Sequence, residues 1–167
     1  MHQSCSFGIL LTLALCAAPV SAQSSWDRYK PGSVGAIMDQ EREGVRTQFK
    51  LAPGHHTVIS GVSFPTRATV EFLDSSRATP PERIAVLEAW AKSLHINIDV
   101  HTALRTELLF REDSLQLWLP VQEVLVPSVR NELKRGDLVT LFVGYVGAEG
   151  QGTVIDWVFV VNEFEKR

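Results

Sequence analysis

The sequence predicts a strand-rich domain of the α+β class, and three observations lead to that fold class. Apolar and polar residues alternate along several short segments, as they do in half-buried strands. Two other segments repeat apolar residues at helical spacing. Two segments near the C-terminus, 139–143 and 158–161, are apolar at nearly every position. We therefore expect a small antiparallel sheet or partly closed barrel of about six strands with two helices.

The two apolar C-terminal segments leave two arrangements open. Strands without a polar face have both sides covered, either by a helix outside a closed barrel or by a second sheet. One arrangement is a barrel of the OB or SH3-like kind with a helix at one end. The other is an open α+β sheet with helices on one face. The pattern favours neither.

The N-terminal segment has the layout of a secretory signal peptide. Residues 7–18 are apolar except for Thr12, and 19–22 follow with small residues before a cut after Ala22. A membrane-spanning helix needs roughly 20 apolar residues, so this segment is too short to be one. Two alternatives are lipidation at Cys16, where Leu15 takes the place of the expected small residue, and a buried N-terminal helix. We expect an exported bacterial protein, periplasmic or secreted, with no transmembrane segment after cleavage.

Composition restricts the function of the remaining chain. Both cysteines, Cys5 and Cys16, lie in the segment that the signal prediction removes. Disulfides, thiolate metal sites and cysteine catalysis are therefore excluded from the processed protein. The net charge of −3 and the absence of a basic run argue against a nucleic-acid partner. No cofactor motif or metal-ligand spacing is present, so we expect neither a cofactor nor a metal.

The elements before residue 95 are predicted as follows. Residues 23–54 contain many glycines and prolines and are expected to be a weakly ordered lead-in before a single globular domain, 55–167. Segments 56–62 and 67–73 are predicted to pair as a hairpin. A helix over 80–94 is the clearest element, with Thr79 as its cap and Glu82 completing a capping box.

The second half of the domain is predicted as strands around one helix. Segment 99–106 suits a short helix, although a strand could already begin at 107. A strand over 115–121 and a helix over 123–134, ended by Gly136, follow. Two long apolar strands, 137–146 and 153–162, are joined by a glycine-rich loop, 147–152, which we expect to be flexible.

Four residues are candidates for ligand binding. Trp118 lies on the polar face of its strand, so its ring is either covered by another element or available to a ligand. Arg105 and Arg111 are close enough along the chain to join it in a saccharide or peptide surface. Asp156 is an acid embedded in an apolar strand, where it either pairs with a base or serves a functional site.

Three functions fit these observations. The first is a non-catalytic binding or accessory domain of the bacterial cell envelope, with a protein, peptide or envelope component as its partner. The second is a small hydrolase whose site is assembled from distant residues, among them His95, Asp99 and His101. The third is an assembly subunit whose apolar strands complete a partner's sheet. No spacing of residues in the sequence identifies a catalytic residue.

Overall fold

The computed structural model describes residues 25–50, 54–61 and 64–167. These residues form one mixed sheet and five helices. The strands are β1 (Lys30–Gly32), β2 (His56–Ile59), β3 (Thr66–Ala78), β4 (Thr106–Glu112), β5 (Leu115–Val121), β6 (Leu138–Gln151) and β7 (Val154–Lys166). The helices are a 3-10 helix (Ser25–Arg28), α1 (Val34–Lys50), α2 (Pro81–Ser93), α3 (Val100–Ala103) and α4 (Val126–Glu132). The predicted signal peptide, 1–22, lies outside the described residues.

The predicted α+β class is confirmed, but the details of the sheet differ. Over the described residues the sheet has seven strands instead of about six, and there are four α-helices instead of two. The sheet is also not wholly antiparallel, because β1–β3 and β5–β7 are parallel pairs. β1 has only three residues, Lys-Pro-Gly, which is too short to show an alternating pattern.

Five of the strands pair in a closed ring. β3 pairs with β4, β4 with β5, β5 with β7, β7 with β6, and β6 returns to β3. The inward side chains of the ring form the larger hydrophobic cluster, which includes Phe110, Tyr145 and Phe159. β1 and β2 extend this ring at its edges.

Helix α1 occupies most of the segment that the sequence predicts as a weakly ordered lead-in. Its buried residues, Val34, Ile37, Val45 and Phe49, recur on one face and join the larger cluster. The carboxylate of Glu112, at the end of β4, accepts hydrogen bonds from the first two amides of the helix at 3.0 and 2.8 Å. Burial and this distant cap outweigh an interior glycine, which costs only about 1 kcal/mol in a helix.

The smaller hydrophobic cluster lies outside the ring. Helix α2, with Val86 and Leu87 fully buried, packs on the outward residues of β6 and β7, among them Val146 and Val158. This explains why the two strands are apolar on both faces. The helix lies where it is predicted, but Thr79 does not cap it: the Thr79 hydroxyl donates to the Leu104 carbonyl at 2.7 Å.

The pairing of β2 corrects two further predictions. β2 does not form a hairpin with β3 but pairs with β6, with His56 opposite Gly150. The predicted flexible loop 147–152 therefore belongs largely to β6, which continues to Gln151. Gly147 permits this contact, because a Cβ there would lie 2.1 Å from the Val58 carbonyl oxygen. The glycines serve close backbone approach here, a use that composition does not distinguish from flexibility.

Strand β3 is longer than predicted. The strand is predicted over 67–73, but β3 continues to Ala78 through an irregularity between Phe72 and Ser76. Asp74 adopts a φ of 53° at this bulge, a conformation that aspartate tolerates better than most residues. The extension brings Arg77 opposite Glu107 on β4. No helix of the described residues has the length and apolar character needed to cross a bilayer.

Candidate functional site: the slit between β5 and β7

The ring of strands is weakest between β5 and β7. Among the described residues these strands pair at one position, Val121 opposite Val161, whereas β4 and β5 pair along their whole length. Toward residues 115 and 155 the two strands therefore bound a slit without ladder hydrogen bonds. We call this opening the β5/β7 slit.

A cavity of about 170 Å³ occupies the slit. Trp118 and Asp156, from the outward faces of β5 and β7, line its mouth. Leu117, Leu119 and Phe159 line it too, although they belong to the buried core. Because successive side chains of a strand point to opposite faces, residues of both faces meet only where the cavity passes between the strands. The slit therefore leads from the surface toward the interior of the ring.

Arg83 spans the mouth of the slit. Its guanidinium donates to both carboxylate oxygens of Asp156 on β7, at 2.8 and 2.5 Å, and to the Trp118 carbonyl on β5 at 2.7 Å. Its Nη1 also donates to Glu107 at 2.6 Å. Burial alone would lower the pKa of Arg83, but the bond to Asp156 and the charges of both carboxylates outweigh it, so the pKa is raised. Arg83 stays charged and ties helix α2 to three strands.

Glu107 is the buried centre of this network. Its side chain is 0% exposed, and it accepts from Arg83 on one oxygen and from Arg77 Nε, at 2.6 Å, on the other. The Arg77 guanidinium carbon also lies 4.4 Å from the centre of the Trp118 ring, within the range of a cation–π contact. Trp118 is therefore half-buried, with the Arg77 guanidinium over its ring.

A second cavity, of about 390 Å³, adjoins the mouth of the slit through Asp156. Its other lining residues include Glu149, which lies opposite Asp156 on β6, and His55. The Glu149 side chain is only 6% exposed, and its Oε2 lies 3.1 Å from His55 Nε2. Burial raises the pKa of Glu149, and the nearby charge of Asp156 acts in the same direction. Two carboxyl groups in different environments thus face one opening, an arrangement that suits acid–base chemistry as well as binding.

The four predicted ligand residues do not form one surface. Trp118 and Asp156 meet at the slit, with Arg83 between them. Arg111 lies on the same outward face of the β4–β5 pair, where it forms an ion pair with Glu71. Arg105 precedes β4 and donates to Glu123 at 3.0 Å, away from the slit. The Arg105 ion pair lowers the pKa of Glu123 and raises that of Arg105.

Of the residues considered for a hydrolase, Asp99 and His101 are brought together, because the His101 backbone amide donates to the Asp99 carboxylate. His101 pairs with Glu88 at 3.0 Å, and Asp99 accepts from the Thr102 hydroxyl at 2.6 Å. No hydrogen bond or ion pair joins His95 to either residue in the part of the chain that the structure describes. Within that part there is also no group of three or more His, Cys, Asp or Glu residues that could hold a metal ion.

Three residues of the site were missed by the sequence reasoning. Arg83 precedes Ile84 on the apolar stripe of α2, where its long side chain resembles an ordinary helix-surface residue. Glu107 was treated as the start of a strand, and Glu149 as part of a mobile loop. The sequence offers one indication of their role, which is that Arg83 and Glu107 fall within a predicted helix and a predicted strand. That position does not by itself show that a charged side chain is buried, because burial depends on a partner that the sequence does not identify.

Comparisons of this chain with protein-family models, with curated proteins and with solved structures find no match.

Proposed function

We propose that the protein is an exported, non-catalytic binding domain of the bacterial cell envelope, with its ligand site at the mouth of the β5/β7 slit. The observation that carries this proposal is the position of Arg83. It holds the Trp118 carbonyl and Asp156 on opposite sides of an opening that continues into apolar surroundings. Concave sites with apolar walls and a few oriented polar groups are typical of ligand binding.

The order of the paired strands supports a finer proposal, that the ring is a barrel of the OB kind. The five ring strands follow the order β3–β4–β5–β7–β6 and close on β3. Helix α4 lies between β5 and β6 in sequence and contributes Val126 and Val129 to the interior cluster. OB barrels bind their ligands on the face of their second and third strands. In this chain those strands are β4 and β5, which carry Arg111 and Trp118.

Export is tested by expressing the full-length gene in a bacterial host. We expect a periplasmic or secreted product whose N-terminal sequence begins at Gln23 and whose measured mass corresponds to residues 23–167. A protein that keeps residues 1–22, or that stays in the cytoplasm, would contradict the export part of the proposal. A diacylated product beginning at Cys16 would replace it with a lipoprotein.

Binding is tested by NMR with the isotope-labelled, exported protein and a fragment library. We expect a subset of compounds to shift the resonances of the slit residues together. Trp118→Ala should weaken the binding of those compounds at least about fivefold, as expected when an aromatic side chain that contacts a ligand is truncated. Trp90→Ala is the matched control, because Trp90 is a half-buried tryptophan that lines a different cavity. Equal losses in both variants, or no compound at the slit, would contradict the proposed site.

A hydrolase is the second candidate, and the pair Glu149 and Asp156 favours it. Glu149 has a raised pKa, as a general acid requires, and Asp156 is ion-paired with Arg83, as suits a carboxylate that acts in its charged form. A screen against chromogenic glycosides and esters tests this candidate. An activity that is abolished by Glu149→Gln and unchanged by Glu163→Gln would contradict the non-catalytic proposal and support the hydrolase.

A further inference from the structure

A further cavity, of about 320 Å³, lies at the C-terminal end of helix α2 and shares no lining residue with the β5/β7 slit. Part of its lining consists of Trp90, Leu94 and Ile96, at and just after the end of α2. Another part consists of Arg28 and Tyr29, at the end of the 3-10 helix. Residues of β6 and β7 complete the lining. We call this cavity the α2 groove.

The α2 part of the groove exposes large apolar side chains. Leu94 and Ile96 are 44% and 41% exposed, and Trp90 is half-buried. A tight turn ends the helix here: His95 adopts a φ of 55°, and the Ile96 amide donates to the Ala91 carbonyl at 2.9 Å. Because the turn fixes the backbone that carries both aliphatic side chains, this apolar surface is formed before any ligand arrives. Exposed apolar surface that lines a cavity is suited to contact with a ligand.

Arg28 is the charged residue among those described as lining the groove. Its guanidinium carbon lies 5.4 Å from the centre of the Tyr29 ring, within the range of a cation–π contact. In the part of the chain that the structure describes, the Arg28 side chain forms no hydrogen bond and no ion pair. Its donors are therefore available to an anion.

Two other polar side chains that line the groove are bonded to each other. The Asn162 amide donates to the Tyr29 hydroxyl at 2.9 Å, and the Asn162 Oδ1 accepts from Gln122 at 2.9 Å. A ligand in the groove therefore gains its main polar interaction from Arg28 and the rest of its contacts from apolar surface.

The charges around the groove favour an anionic group beside Arg28. A guanidinium donates two parallel hydrogen bonds to a carboxylate, which adds geometric specificity to the attraction. The carbonyl end of α2 carries a partial negative charge, so the same anion is disfavoured beside Leu94. Because the net charge of the protein is −3, a general attraction for anions does not explain such binding.

The volume of the groove restricts the apolar part of the ligand. About 320 Å³ is near the lower end of the range for small-molecule sites, roughly 300–1,000 Å³. A single ring or a short chain suits this space.

We propose that the α2 groove binds a small free carboxylic acid in its carboxylate form, with a single ring or a short chain as its apolar part. The carboxylate pairs with Arg28, and the apolar part contacts Trp90, Leu94 and Ile96. This inference concerns a second site and goes beyond the proposed function, which concerns the β5/β7 slit.

Three probes test the role of the charge. 3-Phenylpropanoate carries a carboxylate, 3-phenylpropanamide has the same shape without the charge, and 3-phenylpropylamine carries the opposite charge. Their affinities are measured by NMR titration of the exported protein. We expect the carboxylate to bind roughly three- to tenfold more tightly than the amide, and the amine to bind most weakly.

Two pairs of variants locate the site. Arg28→Gln should weaken the carboxylate to the affinity of the amide and leave the amide unchanged. Arg42→Gln is the matched control for charge, because Arg42 is a surface arginine that does not line the groove. Ile96→Ala should weaken both probes roughly two- to fivefold, whereas Ile98→Ala, at a similarly exposed isoleucine outside the groove, should change neither.

The other outcomes overturn this inference without deciding about the slit. Equal losses in Arg28→Gln and Arg42→Gln would show an effect of net charge alone. Binding that Trp118→Ala weakens and Ile96→Ala does not would place the carboxylate at the slit, which would support the proposed function and not the second site. A peptide ending in a phenylalanine carboxylate that binds more tightly than 3-phenylpropanoate would show that the occupant is a peptide terminus and not a free acid. Absence of binding by all three probes would contradict the ligand class.

Discussion

Replacement of Arg83 by methionine tests whether the buried charge network holds the sheet and helix α2 together. Arg83 donates hydrogen bonds from α2 to residues of β4, β5 and β7. Methionine keeps the long apolar stem and packs into irregular space, but it donates no hydrogen bonds. The change therefore removes the charge and four donated bonds with little loss of volume.

The expected loss of stability depends on the interactions that Glu107 and Asp156 keep after the replacement. Removing one member of a buried ion pair costs roughly 3–5 kcal/mol, because the other charge is left without compensation. Glu107, 0% exposed, keeps its bond to Arg77, and Asp156, whose side chain is 44% exposed, can be hydrated. We therefore expect the lower end of that range, a loss of about 3 kcal/mol in the free energy of unfolding.

Urea unfolding followed by circular dichroism measures this loss, through the shift in midpoint at constant slope. Arg111→Met is the matched control, because the Arg111–Glu71 pair is more exposed and should contribute less than about 1 kcal/mol. In the double variant Arg83→Met/Glu107→Leu most of the lost stability should return, since no buried charge remains unpaired. Equal small losses for Arg83→Met and Arg111→Met would refute the reasoning.

Three other changes probe separate parts of the structure. Glu149→Gln should raise stability at pH 7, because the raised pKa of Glu149 means that the folded state binds the proton more tightly than the unfolded state. For the same reason the wild type should gain stability as the pH falls from neutral toward 4.5, the ordinary glutamate value, and the variant should lose this gain. Urea midpoints measured across this range test the idea, which is wrong if the midpoint depends on pH in the same way in both proteins. Glu112→Ala should cost about 1–2 kcal/mol by removing the acceptor at the start of α1, and a loss no larger than that of Asp39→Ala on the exposed side of the helix would contradict it. Gly147→Ala should separate β2 from β6, seen as faster amide exchange at Val58, whereas Gly44→Ala, where a Cβ meets nothing within 4 Å, should be neutral or stabilising.

The most secure local predictions concern elements whose pattern reflects a nearby surface. Helix α2 and strands β4 to β7 lie close to where the sequence predicts them. Their apolar residues are spaced as expected for an element that is buried on one face or on both faces. Helix α1 was missed. Its glycine and polar residues suggest a loop, and its burial depends on contacts with strands far along the chain.

The candidate site was predictable only in part. Trp118 and Asp156 stood out because each departs from the alternation of its own strand, and they lie at one opening. Arg83 and Glu107 did not stand out, because a charged residue in a helix and a glutamate at a strand start are both ordinary in sequence. Their importance comes from burial and from partners 24 to 73 residues away.

The sequence by itself determined the α+β class and the position of most ring strands, and it singled out Trp118 and Asp156 as candidates, since these depend on local periodicity. Only the tertiary structure decided that β5 and β7 pair at one position of the described residues, that β2 joins β6, and that Arg83 reaches Glu107 and Asp156. The physical reason is that strand order and ion pairing are set by which surfaces can be buried together. That choice is made by the folded chain as a whole and not by any segment of it.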